Sequence, residues 1–305
     1  MSEKKATRVG YGEELAALGF ENDKIVALDA DLSCSTMTKY FASAHPDRFF
    51  NAGIAEANMI TMAAGLASMG YIPFCSTFAV FASRCFEQIR NGVCYPNLNV
   101  KIAFSHAGIT VGEDGATHQA IEDIALMRVL PGMTILCPCD AEEARRAVRA
   151  AAAIDGPVYL RLARLATPVF SEGMPFEVGK ANVLRRGSRA ALITCGLMVE
   201  ACMRAAELLA ARGIEVTVVN MHTIKPLDEA IVRELAGQMK LFTVEEHSVV
   251  GGQGDAVAAV VAEHGGCLKK LGIPDCFGQS ASPAELLDFY GLSPEKIAAT
   301  VEAGL

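Results

Sequence analysis

The chain of 305 residues lacks the patterns that would place it in a membrane, on nucleic acid or among disulfide-rich proteins. No apolar run approaches the ~18 residues that a transmembrane helix needs. A formal net charge of −8 argues against nucleic acid or an anionic membrane as a main partner. The ten cysteines include no CxxC pair, so we interpret them as small core residues. The start, MSEKKATRVG, lacks the apolar core of a signal peptide, and we expect a cytoplasmic protein.

Common catalytic signatures are missing too. The sequence contains no P-loop, no nucleophile elbow and no metal-binding His motif. The stretch GGQGD at 251–255 lacks the third glycine of a dinucleotide fingerprint, so it predicts a tight turn between a strand and a helix.

Short β-rich runs alternate with longer helical patterns, which predicts an α/β fold with mainly parallel sheets. The length suggests two domains, which we place at 1–166 and 188–305. Residues 167–187, rich in Pro, Gly and charge, are interpreted as a linker without strand or helix period. The clearest helix spans 141–153, with Asp140 as its N-cap. Strands are predicted at 24–30, 48–52, 71–77, 100–105, 133–139, 157–163, 189–196, 215–221 and 240–247.

A single ionisable side chain, Glu56, stands in the stretch FFNAGIAEANMITMAAGLASMG at 49–70. The pattern predicts a helix over 55–69, ended by Gly70, with apolar residues on nearly all faces. Glu56 is then either an ordinary charge at the positive end of a helix dipole or a buried carboxylate that needs a partner. For a helix buried on most sides, that partner must come from elsewhere in the sequence or from a ligand.

Two further stretches gather groups suited to binding. The segment HAGITVGEDGATHQAIED at 106–123 packs two His, several acids and three Gly between a predicted strand and a predicted helix. Loops at the carboxyl ends of strands are where α/β sheets bind ligands, although turn residues with incidental charges give the same composition. In STFAVF at 76–81, Phe78 and Phe81 are candidates for either the core or a cofactor pocket.

Taken in order, these stretches resemble the carboxyl-terminal half of a transketolase. The similar segments are ADLSCST (30–36), GIAEANM (53–59), STFAVF (76–81), SHAGITVGEDGATHQ (105–119) and EEHSVVGGQGD (245–255). The resemblance covers essentially the whole chain. It implies a pyrimidine-binding domain followed by a Rossmann-like transketolase C-terminal domain, each an αβα sandwich, as in thiamine-diphosphate enzymes. The length is similar to that of the separate small subunit of split transketolases.

The resemblance assigns cofactor contacts to four residues. Glu56 corresponds to the Glu that hydrogen-bonds N1′ of the aminopyrimidine and favours the imino tautomer. That tautomer makes the cofactor's 4′-amino group the base for the thiazolium C2 proton. Phe78 and Phe81 correspond to the aromatic pocket of the pyrimidine ring, and Asp31 to an acid near the cofactor at the subunit interface.

Six residues are implied for the sugar phosphate. His106, Asp114 and His118 correspond to residues that hydrogen-bond the donor ketose around its C1 and C2 oxygens. A second group corresponds to positions that bind the phosphate, for which Arg is well suited. Its members are Arg8, Ser35 and Arg164.

Three departures from the family pattern concern substrate detail. Ala107 stands where transketolases usually have an acid, and Asn58 stands near the place of a His. Arg84 replaces a third aromatic of the ring pocket.

The sequence contains no GDG motif of the kind that holds Mg²⁺ and the cofactor diphosphate in this family. The resemblance therefore implies a partner, an N-terminal transketolase subunit that carries that motif and the Mg²⁺ ligands, and a heterotetramer with two copies of each subunit. No metal ligand is expected on this chain.

The implied reaction is transfer of a two-carbon ketol unit between sugar phosphates. Pentose phosphates are the default substrates, although a branched or sulfonated sugar would use the same residues. Alternatives are the beta subunit of a 2-oxo-acid dehydrogenase, half of a 1-deoxyxylulose-5-phosphate-synthase-like enzyme, and a non-catalytic scaffold that kept the fold.

Overall fold

The computed structural model, which describes residues 4–305, has two mainly parallel sheets, each between two layers of helices, and a separate sheet of two short antiparallel strands, β1 (Lys5–Ala6) and β8 (Ala166–Thr167). Strands of the first part are β1 Lys5–Ala6, β2 Ile25–Asp29, β3 Phe49–Asn51, β4 Ile72–Ser76, β5 Lys101–Phe104, β6 Thr134–Leu136, β7 Val158–Arg161 and β8 Ala166–Thr167. Those of the second part are β9 Asn182–Arg185, β10 Ala190–Thr194, β11 Val216–Asn220, β12 Thr223–Lys225, β13 Lys240–Ser248 and β14 Leu268–Ile273.

The helices fall between the strands. In the first part they are α1 Thr7–Glu21, α2 Ser33–Thr36, α3 Lys39–Ala44, α4 Glu56–Ser68, α5 Phe86–Gln88, α6 Asp123–Arg128 and α7 Ala141–Ala153. In the second they are α8 Met198–Ala210, α9 Glu229–Ala236, α10 Gln253–His264, α11 Pro283–Phe289 and α12 Pro294–Gly304. Tighter 3₁₀ turns occur at Pro46–Arg48, Ala79–Cys85 and Ile109–Asp114, and a π-helical segment at Ile89–Cys94.

The first sheet has the strand order β12-β6-β7-β5-β4-β2-β3, and its strands are parallel except for β12, which pairs antiparallel with β6. All five residues of β2 are buried, as expected for a strand covered on both faces of a parallel sheet. One apolar core lies under α4 and α6, and another lies under α1 and α7. The expected αβα sandwich is therefore present.

The second sheet has the order β14-β13-β10-β11-β9 and is parallel except for β9. Helices α8, α11 and α12 cover one face, and α9 and α10 cover the other. Strand β9 lies within residues 167–187, so the expectation that this stretch lacks a strand is wrong. Its four half-buried residues give too short an alternation to recognise, and antiparallel pairing with β11 stabilises it.

All nine predicted strands are present, most of them a residue or more shorter at each end. Helix α7 has the predicted bounds, and the Asp140 side chain accepts a hydrogen bond from the Glu143 amide at 2.8 Å. The GGQGD stretch forms the predicted turn into α10. All ten cysteines are free within the described residues, and seven of them are buried. In residues 4–305, none of the helices has both the length and the apolar character to cross a bilayer.

Helix α4 departs from its prediction. It spans nearly the expected residues, but only Glu56, Met59, Ile60 and Ala63 are buried. Thr61 and Gly65, on another face, are exposed, because no segment of this chain packs over them. The expectation of burial on most sides is therefore wrong for this chain by itself.

Candidate active site

The loops that follow three neighbouring strands lie at one edge of the first sheet. Strands β2, β4 and β5 are adjacent and parallel, and they end at Asp29, Ser76 and Phe104. Because the carboxyl ends of parallel strands meet at one edge, the loops after them share one surface. A bridge between Phe78 and Ser105 continues the pairing beyond the strand ends. This surface carries most of the predicted site residues.

The loop after β2 is held by Asp29, which the sequence reasoning did not single out. Its buried carboxylate accepts hydrogen bonds from the Leu32 amide at 2.5 Å, the Thr36 hydroxyl at 2.7 Å and the Thr38 hydroxyl at 2.9 Å. These bonds fix the segment that contains Ser35. The available signal was an acid at the end of a strand, followed by a run of Ser and Thr.

Aromatic rings form a row along this surface. The rings of Phe78 and Phe81 are nearly parallel, with an interplanar angle of 8° and centroids 6.0 Å apart. His106 stacks on Phe78 at 3.8 Å, and His118 meets the Phe81 ring edge-on at 6.2 Å. Four of the predicted site residues are thus in one contiguous group, with flat apolar faces in the middle and an imidazole at either end.

Glu56 begins α4 next to this row and is 3% exposed. Its Oε2 lies 3.2 Å from Nε of Arg84, whose side chain is 57% exposed. The Arg84 guanidinium in turn lies 6.0 Å from the centre of the Phe81 ring. Arg84, which the sequence reasoning treated only as a missing aromatic, is therefore the cation that accompanies the buried carboxylate in this chain.

His106 is neutral at physiological pH and has a defined tautomer. Burial, aided by the charges of Arg8 and Arg164, lowers the pKa of His106 to about 3. An Arg8 N–H points at Nε2 from 3.4 Å, and Nδ1 lies 2.8 Å from the Ser105 hydroxyl. Because guanidinium only donates, Nε2 must be the acceptor and Nδ1 must carry the proton. The residue has a φ of +57°, an uncommon conformation that the tight turn after β5 imposes.

A pocket of about 360 Å³ next to His106 contains the three predicted phosphate ligands and Asp114. Arg8 donates to the Ser35 carbonyl at 2.7 Å, and Arg164 donates to the Asp114 carboxylate at 2.9 Å. Both guanidinium groups line this pocket, and burial together with the charge of Arg164 lowers the pKa of Arg8. Two guanidinium groups that converge in this way form a suitable site for a phosphate or another anion.

The remaining residues are less central. Asp31 is exposed, accepts a hydrogen bond from Asn51 at 2.9 Å and does not line the pocket. Ala107 is buried, and Asn58 is exposed on α4. The structure therefore groups all the predicted residues except Asp31 around the aromatic row and the adjoining pocket.

The row fits the pyrimidine end of thiamine diphosphate. Phe78 and Phe81 offer flat apolar faces, and Glu56 offers a buried carboxylate at a helix start, paired with the partly exposed Arg84. For the diphosphate end, residues 4–305 contain no group of three or more His, Cys, Asp or Glu side chains arranged to hold a metal ion.

Family models match both halves of the chain. The pyrimidine-binding domain of transketolase matches residues 3–169, and the C-terminal domain of transketolase matches residues 179–297.

Similar proteins match over nearly the full chain. A Methanocaldococcus jannaschii protein, whose name gives it as a transketolase C-terminal section, is 49% identical over 96% of this chain and 94% of its own length. A Clostridium protein, named as a 6-deoxy-6-sulfo-D-fructose transketolase subunit, is 42% identical over 94% of this chain and 90% of its own length. Human transketolase is 38% identical over 99% of this chain, which spans 49% of that protein.

A solved structure has the same fold. It is titled as a split gene transketolase in an inactive β4 tetramer, with 50% identity and a TM-score of 0.91, over 98% of this chain and 97% of that chain.

Proposed function

This chain belongs to the transketolase family, as a carboxyl-terminal subunit of the split type, and from that premise we propose that it catalyses ketol transfer. The proposed reaction moves a two-carbon unit from a ketose phosphate to an aldose phosphate. Membership of the family implies use of thiamine diphosphate. The alternatives, a 2-oxo-acid dehydrogenase subunit and a deoxyxylulose-phosphate-synthase-like half, have less support.

One observation carries the proposal. A buried carboxylate beside parallel aromatic faces is continuous with a neutral imidazole and a pocket with two guanidinium groups. The first part suits a pyrimidine ring, and the second suits a hydroxylated substrate that ends in an anion. A non-catalytic scaffold would have no need for both in one contiguous surface.

When bound, thiamine diphosphate supplies the carbanion chemistry of carbon–carbon cleavage and formation. Glu56 would hold the pyrimidine nitrogen and share a proton with it, while Phe78 and Phe81 pack on the ring and exclude water. Nε2 of His106 is an acceptor because the proton is on Nδ1, and it would accept a hydrogen bond from a sugar hydroxyl in place of the 3.4 Å bond from Arg8. Arg8 and Arg164 would bind the phosphate and so set the position of the reacting end.

The diphosphate and Mg²⁺ are proposed to lie on an N-terminal partner subunit that carries a GDG motif, in a complex of two copies of each subunit. Mg²⁺ prefers oxygen ligands and usually bridges phosphates, and the described residues present no suitable cluster. The open face of α4 beside Glu56 is where we expect that subunit to pack. Cytoplasmic location stays a prediction.

Sugar phosphates, with pentose phosphates first, are the proposed substrates. The Clostridium relative, named for a sulfonated sugar, supports a sulfonate as a second terminal anion, since guanidinium binds sulfonate oxygens as it binds phosphate. The anion pocket by itself suits either group.

The test is capture of the partner from native cytosol, followed by assay of the complex with Mg²⁺ and thiamine diphosphate. Xylulose 5-phosphate with ribose 5-phosphate should give sedoheptulose 7-phosphate. A complex that instead decarboxylates 2-oxo acids would contradict the proposal, as would tight cofactor binding by this chain without a partner.

Glu56→Gln should lower kcat of that complex by about 10²–10⁴-fold, the usual contribution of a positioned acid–base group. Glu229→Gln, at the exposed start of α9, is the matched control and should leave kcat unchanged. Full turnover by the Glu56→Gln complex would remove the catalytic role from Glu56 and favour the scaffold alternative.

A further inference from the structure

The second domain contacts the loop of His106 and Asp114 through a buried carboxylate. Glu246 lies in β13 and is 3% exposed. Its Oε2 accepts hydrogen bonds from the Thr110 hydroxyl at 2.8 Å and from the Thr110 amide at 3.3 Å. Thr110 lies midway between His106 and Asp114 in sequence. One carboxylate of the C-terminal domain thus holds the centre of the segment that carries two proposed sugar contacts.

The backbone of this segment is shaped to meet the carboxylate. Gly108 has a φ of +84°, and a Cβ there would overlap the carboxyl group of Glu246. Only glycine lets the chain pass this close without strain. The close approach explains one of the three glycines in the 106–123 stretch.

A second link holds the other end of the segment. Gln119 donates through Nε2 to the carbonyls of Gly112 at 3.1 Å and of Gln279 at 2.9 Å, the latter in the C-terminal domain. The segment between His106 and Gln119 therefore depends on the C-terminal domain for its shape.

We propose that Glu246 is a positioning residue for the donor sugar, which fixes the segment between His106 and Asp114 through its two bonds to Thr110. The inference rests on the proposed function, because the sugar contacts of His106 and Asp114 belong to it. It gives the C-terminal domain a defined task at the substrate pocket.

The carboxyl group of Glu246 has a pKa close to neutral pH. Burial raises the pKa of Glu246 to about 7, against the opposing effects of Arg161 and of the Thr110 bonds. The charged groups that face it are Arg161, which donates to the Glu246 carbonyl at 3.2 Å, and Asp123, which pairs with Arg161. The neighbouring strand residue Glu245 points to the opposite face, where it accepts from the amides at the start of α10.

The raised pKa of Glu246 determines how this residue makes the stability of the fold depend on pH. A folded-state pKa above the ordinary Glu value means that the ionised carboxylate lowers stability above pH 7, and that this cost disappears as the pH falls towards 4.5. A purely structural role would favour a neutral side chain here. The ionised form is instead the better acceptor for Thr110.

The test uses the reconstituted complex with Glu246→Gln. We expect KM for the donor ketose to rise about tenfold and kcat to change by less than about twofold, while the unfolding midpoint at pH 8 does not fall. In the wild type, donor KM should increase between pH 8 and pH 6 as the carboxylate gains a proton, and Glu246→Gln should abolish that dependence. Glu245→Gln is the matched control, with the same change at the adjacent buried position, and should leave donor KM unchanged.

Thr110 provides an independent arm. Thr110→Val should raise donor KM and add little to Glu246→Gln in the double variant, whereas Thr110→Ser should retain wild-type KM. A donor KM that stays constant in both variants, or that rises equally in Glu245→Gln, would overturn the inference.

Hydrogen exchange of residues 106–118 in the isolated subunit separates the two proposals. Faster exchange in Glu246→Gln but not in Glu245→Gln supports the contact without any assay of turnover. The same result in a complex without ketol transfer would overturn the proposed function and leave the positioning of the loop standing. Unchanged exchange would overturn the inference.

Discussion

At the scale of single residues, Arg84 shows how a departure from a family pattern becomes part of a site. It stands where the resemblance places an aromatic, and the structure pairs it with Glu56. We predict that Arg84→Gln destabilises the isolated subunit by about 1 kcal/mol, since it leaves a buried carboxylate without its cation, while the exposure of the guanidinium keeps the loss small.

Urea denaturation measures this loss, and the Glu56→Gln background identifies its source. In that background Arg84→Gln should cost almost nothing, because the charge that it balances is gone. Arg233→Gln removes an exposed pair with Glu229 within α9 and should have no measurable effect. An equal loss in both backgrounds would show that Arg84 acts through packing on Phe81 instead.

Residue patterns alone left Glu56, Phe78 and Phe81 open between structural and functional roles, and they favoured only the loop of His106 and His118 as a binding segment. The resemblance to transketolases assigned the roles of all five residues. Neither identified Asp29 or Glu246, whose importance lies in hydrogen bonds to distant backbone. Periodicity and composition carry no information about such pairings.

At the scale of elements, two N-cap aspartates also anchor the connection between the domains. Asp140 caps α7 and accepts from the amides of Phe170 and Ser171 at 2.8 and 2.9 Å. Asp228 caps α9 and accepts from the Ala181 amide at 3.0 Å. The stretch interpreted as a linker is therefore fastened at both ends by helix starts.

We predict that Asp140→Ala costs roughly 2–3 kcal/mol, which combines the loss of a cap with the loss of bonds from buried donors. Limited proteolysis of this variant should open the chain near Phe170. Ser282→Ala removes the exposed cap of α11 and should cost about 1 kcal/mol without new cleavage near Phe170. A linker that remains resistant in Asp140→Ala would show that its packing, not the carboxylate, holds it.

Strand prediction succeeded for all the central strands of both parallel sheets and for the edge strand β3, but it missed the edge strands β9, β12 and β14 and the short pair β1 and β8. Strands β2 and β10 are buried throughout and were recognised. Strands β9 and β12 lie at sheet edges and have four and three residues, so their pairing with a neighbour rather than their own pattern determines them.

At the scale of the whole molecule, β12 joins the two halves, since it follows β11 of the second sheet and pairs with β6 of the first. His222 lies directly before it, is 1% exposed and stacks on Phe176 at 4.2 Å. Burial, aided by the charge of Arg146, lowers the pKa of His222 to about 4. A titratable group is thus buried where the halves meet.

The lowered pKa predicts acid sensitivity of the whole fold. An unfolded His binds a proton near pH 6.5 but His222 in the folded state does not until about pH 4, so stability is lost as the pH falls through this window. His106 adds to the loss in the same direction, whereas Glu246 opposes it between pH 7 and 4.5. Burial also raises the pKa of Asp29, Glu143 and Glu245, so the net slope reflects the two histidines against Glu246 and these further carboxylates.

Urea midpoints of the isolated subunit between pH 7 and pH 4 test this balance. His222→Asn should reduce the loss of unfolding free energy between pH 7 and pH 4 by roughly 2–3 kcal/mol. Glu246→Gln should increase that loss, because the opposing titration of Glu246 is removed. His264→Asn, at the exposed end of α10, controls for loss of a surface imidazole. If His222→Asn and wild type declined in parallel, the acid sensitivity would lie outside the junction formed by β12. A flatter curve in Glu246→Gln would instead mean that the Thr110 bonds lower the energy of the ionised carboxylate enough to reverse the effect of burial.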